Sequence, residues 1–223
     1  MFSLALGVGF YLKPRTVHFE FMGVDWDRVP KGYRGVLPEK VYMELEIPRE
    51  YVNTTVVPFL FWSSIADNLG LYGPSKKRRS SIYINAFYPS MTVQPGAASD
   101  ERIGVILSAI DPEHHVPADA RMLPSGATRE PALDQDGLCG YADHVNIGWK
   151  GNEFYVPCEP PHSGFYIDCS QPWGKAHPCT EYVFLGRRIN ASVSYQHRIL
   201  EHHEAVVDAV RRLVFSFVRP DAE

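Results

Sequence analysis

The side chains with the most chemistry in them sit close together. Cys139, Cys158, Cys169 and Cys179 are the four cysteines of the chain, and they share a region rich in Pro and Gly. Three chemistries are open to such a set: a zinc centre, a reactive thiol, or disulfides. Zinc centres commonly take two ligands from a tight C-x2-4-C knuckle, because a short turn aims two thiolates at one ion. These spacings contain no knuckle, and His162 and His177 do not complete one, so no metal is expected. A nucleophilic thiol needs an adjacent base and groups that stabilise the thiolate, which no local sequence provides. Two disulfides remain, each restraining a segment with little regular structure of its own. Three pairings are open. Cys139 with Cys158 and Cys169 with Cys179 is the favoured one, because each closes a local loop. The stretch CSQPWGKAHPC (169–179) is then a stapled loop, with Trp173 and His177 as packing and surface groups.

Other polar clusters read more simply as structure than as catalysis. DPEHH brings Asp111, Glu113, His114 and His115 together, but adjacent histidines reach one ion only through a favourable turn, and a solvated loop is the expectation. HRILEHHEAVVD lacks the two histidines four residues apart that H-E-x-x-H requires. His203 falls on an apolar helix stripe and is expected to be partly buried, with His202 at its edge. No G-x-S-x-G elbow occurs, and Ser163 beside His162 follows two prolines, as a turn would. Gly7 and Gly9 lack the third glycine and the helix start of a dinucleotide loop. Neither catalytic residues nor a cofactor are expected.

The elements that would position these groups are mostly strands. TVHFEF (16–21), VYMELEI (41–47), SIYINAFY (81–88), RIGVILSAI (102–110), EFYVPC (153–158), GFYIDC (164–169), EYVFLG (181–186) and INASVSYQ (189–196) carry β-branched or aromatic residues two apart. Helices do not alternate with them, so the sheet should be antiparallel. VVPFLFWSSIADNL (56–69) is a short helix candidate. Near the C-terminus, Ile199, His203, Val206, Val210, Leu213 and Phe217 form one helical stripe, and Asp208 stands at pairing distance from Arg211 and Arg212. The fold class expected is α+β: a mainly antiparallel sheet, a C-terminal amphipathic helix packed on it, and long disulfide-stapled loops. Between Asp111 and Trp149 the sequence reads as one long irregular tract, a length that in compact domains is often functional. KKRR, comprising Lys76, Lys77, Arg78 and Arg79, reads as a charged hairpin-like tip.

With 223 residues, 45% of them hydrophobic, the chain can bury a real core. Its formal net charge of −4 gives little of the counterion release on which nucleic-acid affinity depends, so nucleic acid is set aside as a partner. Residues 1–15 contain an apolar run that Lys13 and Arg15 close. It is too short to span a bilayer and has no basic region ahead of it. It reads either as the end of a signal peptide or membrane anchor, or as a first strand. The cysteines favour the former, with 16–223 as a single domain in an oxidising space such as a periplasm.

The tail INASVSYQHRILEHHEAVVDAVRRLVFSFV, together with PEKVYMELEIPREYV and the apolar N-terminal segment, resembles the periplasmic or membrane-anchored immunity proteins that accompany type VI secretion effectors, particularly lipases and phospholipases. The resemblance implies a non-enzymatic inhibitor that binds its cognate toxin and blocks the active site. Asp134, Asp136 and Asp143 are then candidates for contacting a basic toxin surface, with Lys76, Lys77, Arg78 and Arg79 as a second set. The rival reading is a cell-envelope hydrolase using loop His and Asp/Glu residues, and a third is a structural envelope component.

Overall fold

The computed structural model describes residues 16–29, 37–52, 77–96, 101–110, 123–143, 151–159, 164–170 and 177–219. A small sheet is built from β1 (Thr16–Val24), β2 (Glu39–Pro48) and β3 (Lys77–Arg79), in the order β2-β1-β3. A second sheet contains β4 (Ser81–Tyr88), β5 (Glu101–Ala109), β6 (Ala127–Arg129), β7 (Leu138–Asp143), β8 (Glu153–Pro157), β9 (Phe165–Cys169), β10 (Pro178–Gly186) and β11 (Ile189–Gln196). Its strand order is β4-β5-β11-β10-β9-β8-β7-β6, and every pairing in it is antiparallel. A 3-10 turn, His197–His202, leads into the helix α1 (His203–Phe215). The fold is therefore the expected α+β arrangement, and the eight strands expected from alternation all form.

Period-2 patterning decides which face of the large sheet is buried. Ile82, Ile84 and Ala86 on β4, Ile103, Val105 and Leu107 on β5, and Ile189, Ala191 and Val193 on β11 all point inward. Phe21, Leu45 and Ile47 of the small sheet and Val206, Val210 and Val214 of α1 complete the same core. Burying each Val, Leu, Ile or Phe side chain among these stabilises the fold by about 1.5–3 kcal/mol relative to leaving it in water. After α1 the chain returns to β2, where Glu46 N–H donates to the Phe217 carbonyl at 2.8 Å and Arg219 Nη1 meets Glu44 Oε2 at 3.0 Å. The helix is thereby tied to both sheets.

Three local expectations are corrected. The charged tip at Lys77, Arg78 and Arg79 is instead β3, paired parallel to β1, with Arg78 Nε 2.6 Å from Glu20 Oε2. Strand pairing satisfies backbone groups that a loop would leave to water, and the carboxylate answers the like charges. The tract 111–149 is not irregular throughout, since β6, a 3-10 turn at Pro131–Leu133 and β7 occupy part of it. The C-terminal stripe is not one helix either. Ile199 lies in the 3-10 turn and Phe217 lies beyond α1, although both are buried in the core. The segments 1–15, 56–69 and DPEHH lie outside the described residues, as do Lys76, His162, Ser163 and Trp173.

Candidate functional site

Both cysteine pairs are disulfides, Cys139–Cys158 and Cys169–Cys179. This is the chemistry of an oxidising, extracytoplasmic compartment. Cys169 and Cys179 are cross-strand partners on β9 and β10, so the bond clamps one end of the large sheet. Three ionisable residues from separate strand ends meet there. Glu153 opens β8, His177 immediately precedes β10, and His197 immediately follows β11. The two histidines are held together by their backbones, His197 N–H donating to the His177 carbonyl at 2.7 Å, while His177 N–H donates to Gln196 Oε1 at 3.2 Å. Their rings stack, with centroids 4.2 Å apart and planes 2° from parallel.

Glu153 Oε2 lies 3.3 Å from His197 Nε2 and 3.9 Å from His177 Nε2. The Tyr155 hydroxyl donates to the same carboxylate oxygen at 2.9 Å and lies 3.3 Å from His197 Nε2. His177 Nε2 is a buried polar atom with no hydrogen-bond partner among the described residues, an arrangement that costs about 1–3 kcal/mol unless something satisfies it. Burial is the largest influence on the His177 imidazole and lowers its pKa; the neighbouring His197 pushes the same way, and Glu153 opposes them. Sequence reasoning weighs His177 as a ligand beside the cysteines, sets that aside on spacing, and reads it as a surface or packing group. Nothing local could reveal the cluster, because strand order brings its members together.

A second acid–histidine pair lies deeper and has a structural role. His203, the first residue of α1, places Nδ1 3.3 Å from Glu181 Oε1, and the Tyr195 hydroxyl donates to Glu181 Oε2 at 3.0 Å. Glu181 is 1% exposed and His203 6%. The helix start is thus fastened to β10 and β11 by buried polar contacts, with the Phe165 ring 4.8 Å from the imidazole.

The face of the large sheet turned away from α1 has a different character. Cross-strand partners place Tyr83, Ile106, Ser192, Tyr182 and Tyr166 in one transverse row over β4, β5, β11, β10 and β9. Tyr83 is 39% exposed and Ile106 43%. Gly104 makes room for the tyrosine: a Cβ there would come within 2.7 Å of the Tyr83 hydroxyl oxygen. At the other end of the row Tyr166 and Tyr182 have centroids 5.8 Å apart, and Phe154 packs beside them. The next row carries Asn85, Gly104, Ser194, Thr180 and Asp168. Asp168 is half-buried, and burial pushes its carboxyl pKa up. It has no hydrogen-bond or ion-pair partner among the described residues.

The acidic residues singled out in the sequence differ in availability. Arg129 Nη2 donates to Asp134 Oδ2 at 2.6 Å, and Gly140 N–H donates to Oδ1 at 3.0 Å. These contacts, the guanidinium foremost, hold the Asp134 carboxyl below the usual carboxylate range. Asp134 therefore braces its own loop. Asp136 is exposed beside Gly137, and Asp143 is half-buried at the end of β7. Arg78 and Arg79 are exposed on the small sheet. The structure does not gather these residues into one patch with Lys77.

No family model and no curated protein matches the chain. Two solved structures do. One is Smlt3025, an immunity protein of the Stenotrophomonas maltophilia type IV secretion system, with TM-score 0.49 and 14% identity, covering 79% of this chain and 90% of the other. The other is the Neisseria meningitidis iron-regulated outer membrane lipoprotein FrpD, with TM-score 0.45 and 12% identity, covering 92% and 93%. Both scores are too low for the likeness to carry a functional argument. Among the described residues, no helix is long and apolar enough to cross a membrane.

Proposed function

We propose that the chain is a non-enzymatic, extracytoplasmic binding protein that captures and neutralises a cognate antibacterial toxin through the outer face of its large sheet. One observation carries this reading: a row in which Tyr83 and Ile106 are exposed, Tyr182 is half-buried and Tyr166 closes the buried end, with the Asp168 carboxyl, which has no hydrogen-bond partner among the described residues, alongside. Aromatic side chains among small hydroxyl residues are what protein interfaces use at their centres. Their rings bury much area for little lost rotamer freedom, and the hydroxyls adapt their hydrogen bonds to the partner. A half-buried acid with no hydrogen-bond or ion-pair partner among the described residues favours a cationic group arriving from outside, which would supply one. The toxin surface should therefore present Lys or Arg beside an apolar patch. A net charge of −4 acts in the same direction, by steering a basic partner towards the chain.

The finer assignment, immunity against a type VI lipase or phospholipase effector in the periplasm, rests on the sequence resemblance of the two ends of the chain. Asp136 and Asp143 remain candidate rim contacts, with Lys77, Arg78 and Arg79 on the small sheet a second set. The test is survival of cells that express the product of the adjacent open reading frame in the periplasm, with and without this protein. Rescue together with a stable one-to-one complex supports the reading. A toxic neighbour that is neither bound nor rescued, or turnover of an envelope substrate by the purified protein alone, contradicts it.

A further inference from the structure

The cluster at the clamped end of the sheet has no part in the proposed docking face. It lies on the inner side, beside the Cys169–Cys179 bond, and its members satisfy one another incompletely. Glu153 Oε2 accepts from Tyr155 and approaches both imidazoles, while His177 Nε2 is buried with no hydrogen-bond partner among the described residues. We propose that Glu153, His177 and His197 form a binding site for a divalent transition ion of the zinc class, a site the sequence gives no reason to expect.

The donor set is the first argument. Two neutral imidazole nitrogens and one carboxylate oxygen are ligands that zinc favours, and three protein ligands leave a fourth position for water. Distance is the second. Metal–ligand bonds of about 2.0–2.1 Å at tetrahedral angles place neighbouring donor atoms about 3.3 Å apart. Here the carboxylate oxygen is 3.3 Å and 3.9 Å from the two nitrogens, and all three donor atoms lie within 4.8 Å of one another. Because ring lone pairs lie in the ring planes, the parallel stack must open for both nitrogens to face one ion, by rotation of the two side chains about their own bonds.

The supporting shell is the third argument. Metal-bound carboxylates are commonly hydrogen-bonded in turn, and Tyr155 supplies such a bond to Glu153 Oε2. The backbone bond between His197 and His177, with the neighbouring disulfide, fixes the separation of the two imidazole-bearing positions. An ion would also satisfy His177 Nε2, which has no hydrogen-bond partner among the described residues. Neither the Glu181–His203 pair nor exposed His202 has these features. The former is closed by Tyr195, and among the described residues the latter is paired with the exposed Glu201, 3.7 Å away.

The experiment is zinc titration of the untagged, oxidised, metal-stripped protein by calorimetry, with a thermal melt at each zinc concentration. One zinc per chain is expected, accompanied by a rise in Tm that grows with zinc concentration as binding linkage requires. His177→Ala and His197→Ala should each weaken binding by more than about tenfold, and Tyr155→Phe, which removes only the supporting bond, by about tenfold. His202→Ala should leave binding unchanged. Should the histidine variants fail to fold, Glu153→Gln serves as the ligand variant in their place. Absence of zinc binding by the parent protein overturns the proposal, as does binding that survives loss of both histidines or of Glu153.

Discussion

His203→Ala should destabilise the protein far more than removal of one half-apolar side chain would suggest. The imidazole covers Glu181, a carboxyl group 1% exposed in the middle of β10, and its removal leaves Tyr195 as the remaining hydrogen-bond partner described for that group. Stripping one partner from a buried acid costs about 3 kcal/mol, because the group remains desolvated after its contact has gone. At about 2–4 °C per kcal/mol for a chain of this size, the melting temperature should fall by ~10 °C. The assay is paired thermal and urea unfolding of the oxidised protein. A triple variant, Glu181→Leu with Tyr195→Phe and His203→Leu, should recover most of the loss, since replacing a whole buried polar set by apolar groups of similar volume is often neutral. If His203→Ala costs less than about 1 kcal/mol, or the triple variant is no more stable than the single one, the polar contacts are not what fastens α1 to the sheet.

Two further outcomes follow from burial and covalent structure. Burial foremost, with nearby carboxylates adding to it, raises the pKa of the Tyr195 and Tyr166 hydroxyls above the usual tyrosine range, so the folded chain keeps protons that the unfolded chain releases near pH 10. The stabilising difference is fully present below that pH and declines as pH rises above it, by about 1.4 kcal/mol per pH unit for each tyrosine, as urea midpoints between pH 9 and 11 would show. A flat profile over that range would contradict it. Cys169 and Cys179, separated by 10 positions, close a loop whose chain-entropy contribution is about 3 kcal/mol. Replacing both with serine should lower stability by that amount and also weaken zinc binding, because His177 is positioned next to the bond. Unchanged zinc affinity in that variant would separate the clamp from the site.

Much of the architecture is written in period-2 alternation, and the reasons for the exceptions are physical. INASVSYQ and SIYINAFY alternate over their whole length and form β11 and β4 with those bounds. β3 and β6 are three residues long and carry polar or charged side chains, so neither shows a usable period. In β7, LCGYAD, the pattern is interrupted by Gly140, whose missing side chain admits Leu133: a Cβ there would meet the Leu133 Cβ at 2.4 Å. The disulfide pairing is legible because each bond closes a short local loop. The turn between β10 and β11 is not, since Arg187 and Arg188 both adopt positive φ without the Asn or Gly that usually signals it. Contacts of Arg187 with the Phe215 ring and of Arg188 with the Tyr42 ring accompany that conformation. The burial of His203 can be read from the helical stripe, but Glu181 is its partner only because β10 lies beneath the helix start. For the same reason Glu153, His177 and His197 are invisible as a set. They become neighbours through the order β11-β10-β9-β8.

The central claim, that the outer sheet face holds a toxin, is tested most directly by measuring the dissociation constant of the complex with the neighbouring gene product for the parent protein and for Ile106→Asp. Ile106 is 43% exposed, so the substitution should leave the melting temperature nearly unchanged. A charge set into the middle of the aromatic row should weaken binding by about 30-fold or more, the effect of losing an interface hot spot. Equal affinity in the parent and the variant, with both folded, would contradict the account.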